Sequence, residues 1–361
     1  MMTTETLSRK PYPSIFYRWT FLLFISFAMF GNYYVYDSIA PIADILKEQL
    51  NFSDQNIGSL YSVYSMAAIV ILLLGGVVID RFGTKKSTLF FAAICFIAAV
   101  VTSLSSHIAV MLTGRVLLGL GAEPLIVAIT TALAKWFKGK ELSFAFGINL
   151  TVARLGSVAA DNSPSWAGWA YDGWQQPLFL ANAMALFCVI GGVVYYYLES
   201  KAEKKYSLGE AGATDKFVFQ DLFRFNRSFW YITALCVTFY SAIFPFRSFA
   251  IKFFIEAGEL TRAQAGSLNS ILPLSAMIAT PLFGFLVDKI GKRALLMMVG
   301  SVIIMPVYLL MAYSGLPLFI PIALMGIAFS LIPAVMWPSV AYIVEEKRLG
   351  TAYSLMTLIQ Q

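Results

Sequence analysis

Two side chains of opposite charge lie deep inside long apolar segments of this sequence. Glu123 comes 11 residues before Ala134, where one segment ends, and Arg154 comes 13 residues after Glu141, where the next begins. At a rise of about 1.5 Å per residue, both lie about 17–20 Å from the same end of their helices. An acid and a guanidinium at one depth suit a zwitterion, because the guanidinium can bind a carboxylate in a bidentate pair and the acid can bind an ammonium.

The same two residues have a simpler interpretation. Charges inside an apolar helix are costly unless they are paired or hydrated, so each is either functional or neutralised by a neighbour. Glu123 and Arg154 could form a salt bridge that only holds two consecutive helices together. The two interpretations could also alternate, with the pair closed when the protein is empty and opened by a ligand.

The segments that position these residues are long enough to cross a membrane. Apolar residues make up 59% of the chain and charged residues 13%, against about 45–50% and 25% in soluble domains. A hydrocarbon core of about 30 Å needs about 20 apolar residues per helix. Runs of this length predict the start of a span near residue 348 and ten complete spans before it, at 17–40, 57–80, 87–106, 108–134, 141–163, 177–198, 229–256, 264–287, 293–313 and 317–343.

A short charged segment between two predicted spans occurs twice, 208 residues apart. Gly76, Asp80, Arg81, Gly83 and Lys85 match Gly284, Asp288, Lys289, Gly291 and Arg293 at that offset. A repeated hairpin is typical of transporters that are built from two similar halves. We therefore predict an N-terminal bundle at 1–198, a connection at 199–228 and an incomplete C-terminal bundle at 229–361. The rest of the eleventh span and a twelfth, on the order of 50 residues, are expected beyond Gln361.

Basic residues collect at one end of the predicted spans. That end carries 20 of the 26 Lys and Arg residues, while the opposite loops carry Lys47 and Arg262, with Lys252 near the end of the span at 229–256. By the positive-inside rule, the N-terminus and the 199–228 connection are predicted to be cytoplasmic. The net charge of +6 therefore reflects topology and does not indicate a nucleic-acid partner.

Three motifs resemble the signature of the major facilitator superfamily. They are the hairpin Gly-x-x-x-Asp-Arg-x-Gly-x-Lys-Lys at 76–86, its second copy from Gly284, and Gly114-Arg115-x-x-x-Gly119-x-Gly121. Further segments are similar to the lysosomal dipeptide-transporter branch of that family, namely Tyr36-Asp37, Gly121-Ala122-Glu123-Pro124-Leu125, Trp136-Phe137-Lys138-Gly139-Lys140-Glu141-Leu142, Ala153-Arg154-Leu155-Gly156, Phe244-Pro245-Phe246, Trp337-Pro338 and Leu349-Gly350-Thr351-Ala352-Tyr353.

The resemblance implies an all-α membrane protein of the major facilitator fold, with two six-helix bundles around a central cavity. Twelve spans are then expected, of which about eleven are present. The branch implies facilitated uniport by alternating access, with Glu123 and Arg154 bracketing the two termini of a dipeptide. It also implies a single-span glycoprotein partner, although no motif in this sequence encodes that contact.

The resemblance assigns roles to further residues. Tyr36 and Asp37 are implied to line the cavity or its outer gate. Arg115 is implied to line the cavity or to tune a proton, and a structural hydrogen-bonding role is the alternative. The two hairpins are implied to gate the protein without touching substrate, through Asp80, Arg81, Gly83, Asp288, Lys289 and Gly291.

Four more residues in the spans are polar or aromatic. Asn149 lies five residues before Arg154 and could face the cavity or a neighbouring helix. Trp337 could form an aromatic wall of the cavity or pack at a kink. Both are counted as substrate-binding candidates. Asp161 and Arg247 lie near the outer ends of their spans, so we expect hydration of the carboxylate and snorkelling of the arginine.

Composition argues against an enzyme. The one histidine, His107, cannot supply a His-based triad or a zinc cluster, so no metal or cofactor is expected. No Gly-x-x-x-x-Gly-Lys loop occurs, which argues against direct ATP drive. Free, buried thiols are expected for the three cysteines, which all fall in spans: Cys95, Cys188 and Cys236.

Two other functions stay open. The protein could carry another organic anion, amino acid or carboxylate, with Arg154 binding the substrate and Glu123 coupling protons. Asp37 and Asp161 are further candidate proton carriers. It could also be a non-transporting membrane scaffold or sensor, although opposite charges at one depth favour transport.

The predicted surroundings are a lipid bilayer and a small-molecule substrate. The short N-terminal segment contains no acidic dileucine sorting signal. We therefore expect a prokaryotic cell (inner) membrane, or a lysosomal membrane if the host is eukaryotic.

Overall fold

The computed structural model describes residues 11–137, 141–208, 224–345 and 348–360, apart from the side chains of 73–77, 80, 143, 288, 349 and 350. Within these ranges the chain is helical and forms no strand. Two short 3-10 helices occupy Ala40–Ile42 and Gly168–Tyr171. The α-helices are α1 (Ile15–Asp37), α2 (Ala43–Leu50), α3 (Asp54–Phe82), α4 (Thr84–Ser103), α5 (Ile108–Trp136), α6 (Leu142–Asp161), α7 (Ser163–Trp166), α8 (Gln175–Lys205), α9 (Arg227–Glu256), α10 (Arg262–Asn269), α11 (Ile271–Ile290), α12 (Arg293–Ile304), α13 (Val307–Tyr313), α14 (Phe319–Ile343) and α15 (Leu349–Gln360).

Nine candidate membrane spans occur in the described part of the chain, by length and hydropathy. Helix α6, with 20 residues, packs among them, and α15 begins the predicted eleventh span. The predicted all-α membrane fold is confirmed. Two predicted spans are each broken into two helices, at Ser270 between α10 and α11 and at Pro306 between α12 and α13. The second break follows from the missing N–H of proline.

Helices α1, α3, α4, α5, α6 and α8 form the N-terminal bundle around one apolar core. Glycines set the spacing of the helices. A Cβ added to Gly31 of α1 would lie 2.6 Å from the carbonyl oxygen of Met184 in α8. One added to Gly114 of α5 would lie 2.6 Å from the amide nitrogen of Thr102 in α4. In lipid, such close backbone packing replaces the hydrophobic effect as the force between helices.

Helices α9 to α15 surround a second core, which includes Phe239, Ile243 and Met325. The expectation for the cysteines is confirmed. Cys95 and Cys188 lie in the N-terminal core and Cys236 lies in the C-terminal core, all as free thiols.

The helix before the inter-bundle connection is longer than predicted. Helix α8 continues to Lys205, beyond residue 199, because Glu199 is buried and neutralised. Its carboxylate accepts hydrogen bonds from Lys135 at 2.5 Å and from the indole N–H of Trp136 at 2.9 Å. Residues 209–223 of the predicted connection lie outside the described residues, and α9 begins at Arg227.

Both charged hairpins turn at a glycine. Gly83 has a φ of +79° and Gly291 a φ of +70°, in the region of backbone conformation that favours glycine. The guanidinium of Arg81 lies 5.7 Å from the ring centre of Phe82, and Lys289 is exposed. The side chains of Asp80 and Asp288 lie outside the described set, so their gating role stays a prediction.

The two ends of the protein differ in how the bundles meet. We call the end at the connection between α1 and α3, residues 38–53, the α1–α3 end, and the end at Gly83 the hairpin end. Between described residues, every hydrogen bond and ion pair that joins the two bundles lies at the α1–α3 end. Examples are Arg262 with Asp44, Lys252 with Asp54, and Ser267 with Asn162. The bundles are therefore tied together at that end in this structure.

Candidate functional site

A cavity of about 120 Å³ lies between the two bundles. Four of the seven predicted substrate-binding residues line it, namely Tyr36, Asp37, Glu123 and Arg154. The wall also contains residues that the sequence analysis did not place there, among them Asn32, Tyr33, Tyr61, Tyr64, Phe244 and Arg247. Both bundles contribute, since Phe244 and Arg247 belong to α9.

Glu123 and Arg154 lie at matching depths on neighbouring helices. Glu123 lies 13 residues before the end of α5 at Trp136, and Arg154 lies 12 residues after the start of α6 at Leu142. At about 1.5 Å per residue, both are about 18–20 Å from the hairpin end of their helices. The two opposite charges therefore face one cavity at one level.

The carboxylate of Glu123 is held from α3. The hydroxyl of Tyr64 donates a hydrogen bond of 2.7 Å to its Oε1. Both side chains are almost completely buried. A phenol donor stabilises a carboxylate and fixes its orientation without adding charge, so Glu123 presents a defined anionic surface to the cavity.

The guanidinium of Arg154 lies between two aromatic rings from opposite bundles. It is 5.7 Å from the ring centre of Tyr33 in α1 and 5.8 Å from that of Phe329 in α14. Within the described part of the chain, Arg154 forms no ion pair. Arg154 is half-buried, and the aromatic faces stabilise its charge without consuming its hydrogen-bond donors.

Three further charges meet at the α1–α3 end of the cavity. Nη2 of Arg247 lies 3.0 Å from Oδ2 of Asp37 and 3.3 Å from Oδ2 of Asp161. The side-chain amide of Asn269 in α10 donates a 2.9 Å hydrogen bond to Oδ1 of Asp161. This cluster joins α1 and α6 of one bundle to α9 and α10 of the other.

The cluster corrects two expectations from the sequence. Asp161 was expected to be hydrated, but it is fully buried, because α10 packs directly over the end of α6. A Cβ on Gly266 would lie 2.1 Å from the carbonyl oxygen of Asp161. Arg247 was expected to snorkel towards water, but it is buried and turns inward to the two carboxylates.

Arg115 lies behind the cavity wall. Its guanidinium donates hydrogen bonds of 3.1–3.3 Å to the carbonyl oxygens of Leu60, Val35 and Tyr36. Its charge also lies 5.3–5.6 Å from three ring centres, those of Tyr36, Tyr61 and Tyr64. Arg115 is 1% exposed and lies against the tyrosines of the wall without lining the cavity, so its role in substrate binding stays a prediction.

Two other candidates lie away from the cavity. Asn149 is buried and donates a 3.0 Å hydrogen bond to the hydroxyl of Ser26, which ties α6 to α1. The indole N–H of Trp337 donates to the hydroxyl of Tyr240 at 3.2 Å, and its ring stacks on Tyr353. Neither side chain lines the cavity in this structure, and a substrate-binding role for either stays a prediction.

The sequence from residue 22 to residue 361 matches the family model of the Major Facilitator Superfamily. The chain belongs to the Major Facilitator Superfamily. A relative named lysosomal dipeptide transporter MFSD1 from Danio rerio is 33% identical over 355 residues, which cover 94% of this chain and 76% of the relative. The protein of the same name from Bos taurus is 32% identical over 360 residues, which cover 95% of this chain and 76% of the relative.

A solved structure of another Major Facilitator Superfamily protein has the same fold. The nucleoside transporter NupG superposes with a TM-score of 0.75, over 94% of this chain and 87% of that one. At 16% identity the likeness concerns the fold alone. Membership of this family makes the chain an integral, multi-pass membrane transporter and not an enzyme. Among the described residues, no group of three or more His, Cys, Asp or Glu side chains is arranged to hold a metal ion.

Some residues of the cavity wall could have been predicted from the sequence but were not. Arg247 is a charge inside an apolar span, so the rule that selected Glu123 and Arg154 applies to it as well. Tyr61 and Tyr64 are spaced i, i+3 and therefore share a helix face. No signal in the sequence indicates Phe329, whose role depends on how α14 approaches α6.

Proposed function

We propose that this transporter carries small zwitterionic peptides, and dipeptides in particular, across the membrane by alternating access. The observation that carries the proposal is the arrangement of Glu123 and Arg154. They come from neighbouring helices of one bundle, lie at the same depth and face one cavity. A dipeptide presents one ammonium and one carboxylate, which match these two charges.

Each end of the peptide would have its own partner. Arg154 would bind the C-terminal carboxylate with two parallel N–H donors, and Glu123 would accept hydrogen bonds from the N-terminal ammonium. Hydrogen bonds to charged groups contribute about 1.5–3 kcal/mol each, so a ligand that lacks either terminus should bind at least about tenfold more weakly. The similarity to proteins named lysosomal dipeptide transporters supports the substrate class, and facilitated uniport is part of the same proposal.

We also propose that the hairpin end is cytoplasmic, because the basic residues collect there. In that orientation the bundles are tied together on the outer side, which is the lumen of a lysosome or the exterior of a prokaryotic cell. The hairpins would then gate the cytoplasmic side. A single-span accessory protein belongs to the same proposal, and co-purification of the chain from its own host would test it.

The proposal is tested by thermal stabilisation of the purified protein with dipeptides, single amino acids, tripeptides and dicarboxylates. We expect a selective rise in the unfolding temperature with dipeptides, and loss of that rise in Glu123→Gln and in Arg154→Ala. Lys201→Ala, an exposed change near the end of α8, serves as the matched control and should keep the full response. Flux of labelled dipeptide into proteoliposomes follows with the same variants. Stabilisation by free amino acids that is unchanged in Glu123→Gln would contradict the proposal.

A second candidate function is a carrier for organic anions. It is favoured by the two guanidinium groups that line the cavity, those of Arg154 and Arg247. In that case Glu123 would bind a proton that is carried with the substrate. Glu123→Gln would then abolish the pH dependence of uptake but leave counterflow exchange. Absence of flux or stabilisation by any solute would instead support a scaffold or sensor.

A further inference from the structure

One side chain of the C-terminal bundle binds two helices of the N-terminal bundle at once. Arg247 of α9 contacts Asp37, the last residue of α1, and Asp161, the last residue of α6. The side chains of both carboxylates and of the guanidinium are at most 10% exposed. The three charges therefore connect the bundles through a buried contact.

The charges in this cluster are unequal in number. Two carboxylates share one guanidinium, and among the described residues neither carboxylate pairs with another cation. Removing Arg247 would leave two buried negative charges without a countercharge, which is strongly unfavourable away from water. Neutralising one carboxylate would leave a matched pair. Arg247 is thus the member on which the contact depends.

The closed arrangement leaves hydrogen-bonding capacity unused. In the described part of the chain, Nε of Arg247 and Oδ1 of Asn269 are buried without a hydrogen-bond partner. Unsatisfied buried groups reduce the stability of the state that contains them. Because some buried polar atoms of this contact have no hydrogen-bond partner, its closed arrangement is only moderately stable. Such a contact suits an element that must alternate between a closed and an open arrangement.

We propose that Asp37, Asp161 and Arg247 form a charge latch, which holds the bundles together at the α1–α3 end and must open before a ligand enters the cavity from that end. Asp37 and Arg247 line the cavity, so the latch forms the wall between the cavity and that end of the protein. The latch rests on the alternating-access part of the proposed function and is independent of which solute is carried.

Two of the other ion pairs between the bundles have exposed acids. Lys252 pairs with Asp54 and Lys47 pairs with Glu256, and the two acids are 59% and 49% exposed. The corresponding exposures of Asp37 and Asp161 are 7% and 1%. Exposed pairs contribute little because water and salt screen them. The buried cluster therefore accounts for the closure better than these two pairs do. Arg262 and Asp44 form a further pair at this end, in which the acid is 5% exposed.

The latch is tested by labelling a cysteine inside the cavity. Ile126, which lines the cavity, is changed to cysteine in a protein whose three native cysteines are replaced. The protein is placed in sealed vesicles of known sidedness, and a membrane-impermeant thiol reagent is added on the α1–α3 side without substrate. We compare the parent, Arg247→Gln, and the triple variant Arg247→Gln with Asp37→Asn and Asp161→Asn. The triple variant removes all three charges together and so avoids the unpaired carboxylates that can unfold Arg247→Gln.

We expect slow labelling of the parent and labelling at least about tenfold faster in the triple variant, since opening the latch shifts the population of states. The labelling rate of Asp161→Asn alone should stay close to that of the parent, because the ion pair of Arg247 with Asp37 remains. Lys252→Gln, the matched rim control, should change the rate less than about threefold. Equal labelling of the triple variant and the parent, or an equal rise in Lys252→Gln, would overturn the latch. Because no substrate is present, these outcomes do not depend on the dipeptide proposal.

Discussion

Tyr64 and Glu123 are joined by a hydrogen bond of 2.7 Å that crosses from α3 to α5. The hydroxyl of Tyr61, one turn earlier on α3, has no hydrogen-bond partner in the described part of the chain. Both rings line the cavity and both lie against the guanidinium of Arg115. Both tyrosines thus belong to the same part of the cavity wall, but only the hydroxyl of Tyr64 orients the carboxylate of Glu123.

This difference gives a matched pair of substitutions. Tyr64→Phe should weaken dipeptide binding about three- to tenfold, because a hydrogen bond to a charged group contributes about 1.5–3 kcal/mol and part of that is regained from water. Tyr61→Phe should leave binding unchanged. Titration calorimetry with a neutral dipeptide measures both. Equal effects of the two changes would mean that the ring, and not the hydroxyl, supports Glu123.

Phe329 is predicted to matter for substrate binding although it comes from the opposite bundle. Phe329→Leu removes one of the two rings that flank Arg154. Since a cation–π contact contributes about 0.5–2 kcal/mol, we expect the half-saturation concentration for dipeptide uptake to rise about two- to thirtyfold. Tyr33→Phe keeps its ring and should behave like the parent, whereas Tyr33→Leu should resemble Phe329→Leu. A normal half-saturation in both leucine variants would rule out this role.

The packing of α6 against α1 depends on a glycine. A Cβ at Gly156 would lie 2.3 Å from the carbonyl oxygen of Phe30, while a Cβ at Gly147 of the same helix meets nothing within 4 Å. Gly156→Ala should therefore lower the free energy of unfolding by about 1–3 kcal/mol. Gly147→Ala should leave it unchanged or raise it slightly. Thermal unfolding in detergent compares the two, and similar midpoints would contradict the close helix contact.

Substitutions of two arginines in the N-terminal bundle should have separate effects, one on the stability of the protein and the other on dipeptide binding. Arg115→Gln removes the donors to three buried carbonyl groups and should lower the free energy of unfolding by about 3 kcal/mol or more, while the ligands that still bind stay in the same order of affinity. Arg154→Gln should have the opposite profile, with normal stability and lost dipeptide binding. A ligand-selectivity change in Arg115→Gln would place that arginine in the binding site after all.

Much of the fold could be predicted because it follows from local rules. Apolar runs of about 20 residues identify the spans, and the constant helical rise places Glu123 and Arg154 at one depth. The turn glycines Gly83 and Gly291 follow from the backbone conformation that ends each helix. The breaks at Pro306 and Ser270 also have local causes, since Pro273 has no N–H to donate to the carbonyl of Asn269, where α10 ends.

The rest of the site depends on how the two bundles meet. Asp37 and Arg247 are 210 residues apart in the chain, and no periodicity relates α1 to α9. The burial of Asp161 follows from α10, which lies over the end of α6. Arg115 shows the converse case. Its depth in α5 is predictable, but the direction of its side chain towards three backbone carbonyl groups is not.

Glu123 and Arg154 both belong to the N-terminal bundle, so the distance between them does not depend on how the two bundles rock. The two contacts to the peptide termini would therefore keep their spacing whether the cavity faces one compartment or the other, whereas the ring of Phe329 would move with the opposite bundle. A carrier that couples no ion to its solute equalises it across the membrane, whatever its affinity on each face, and works in reverse as well. The direction of net movement would then be set entirely by the enzymes that produce and consume the peptide on either side.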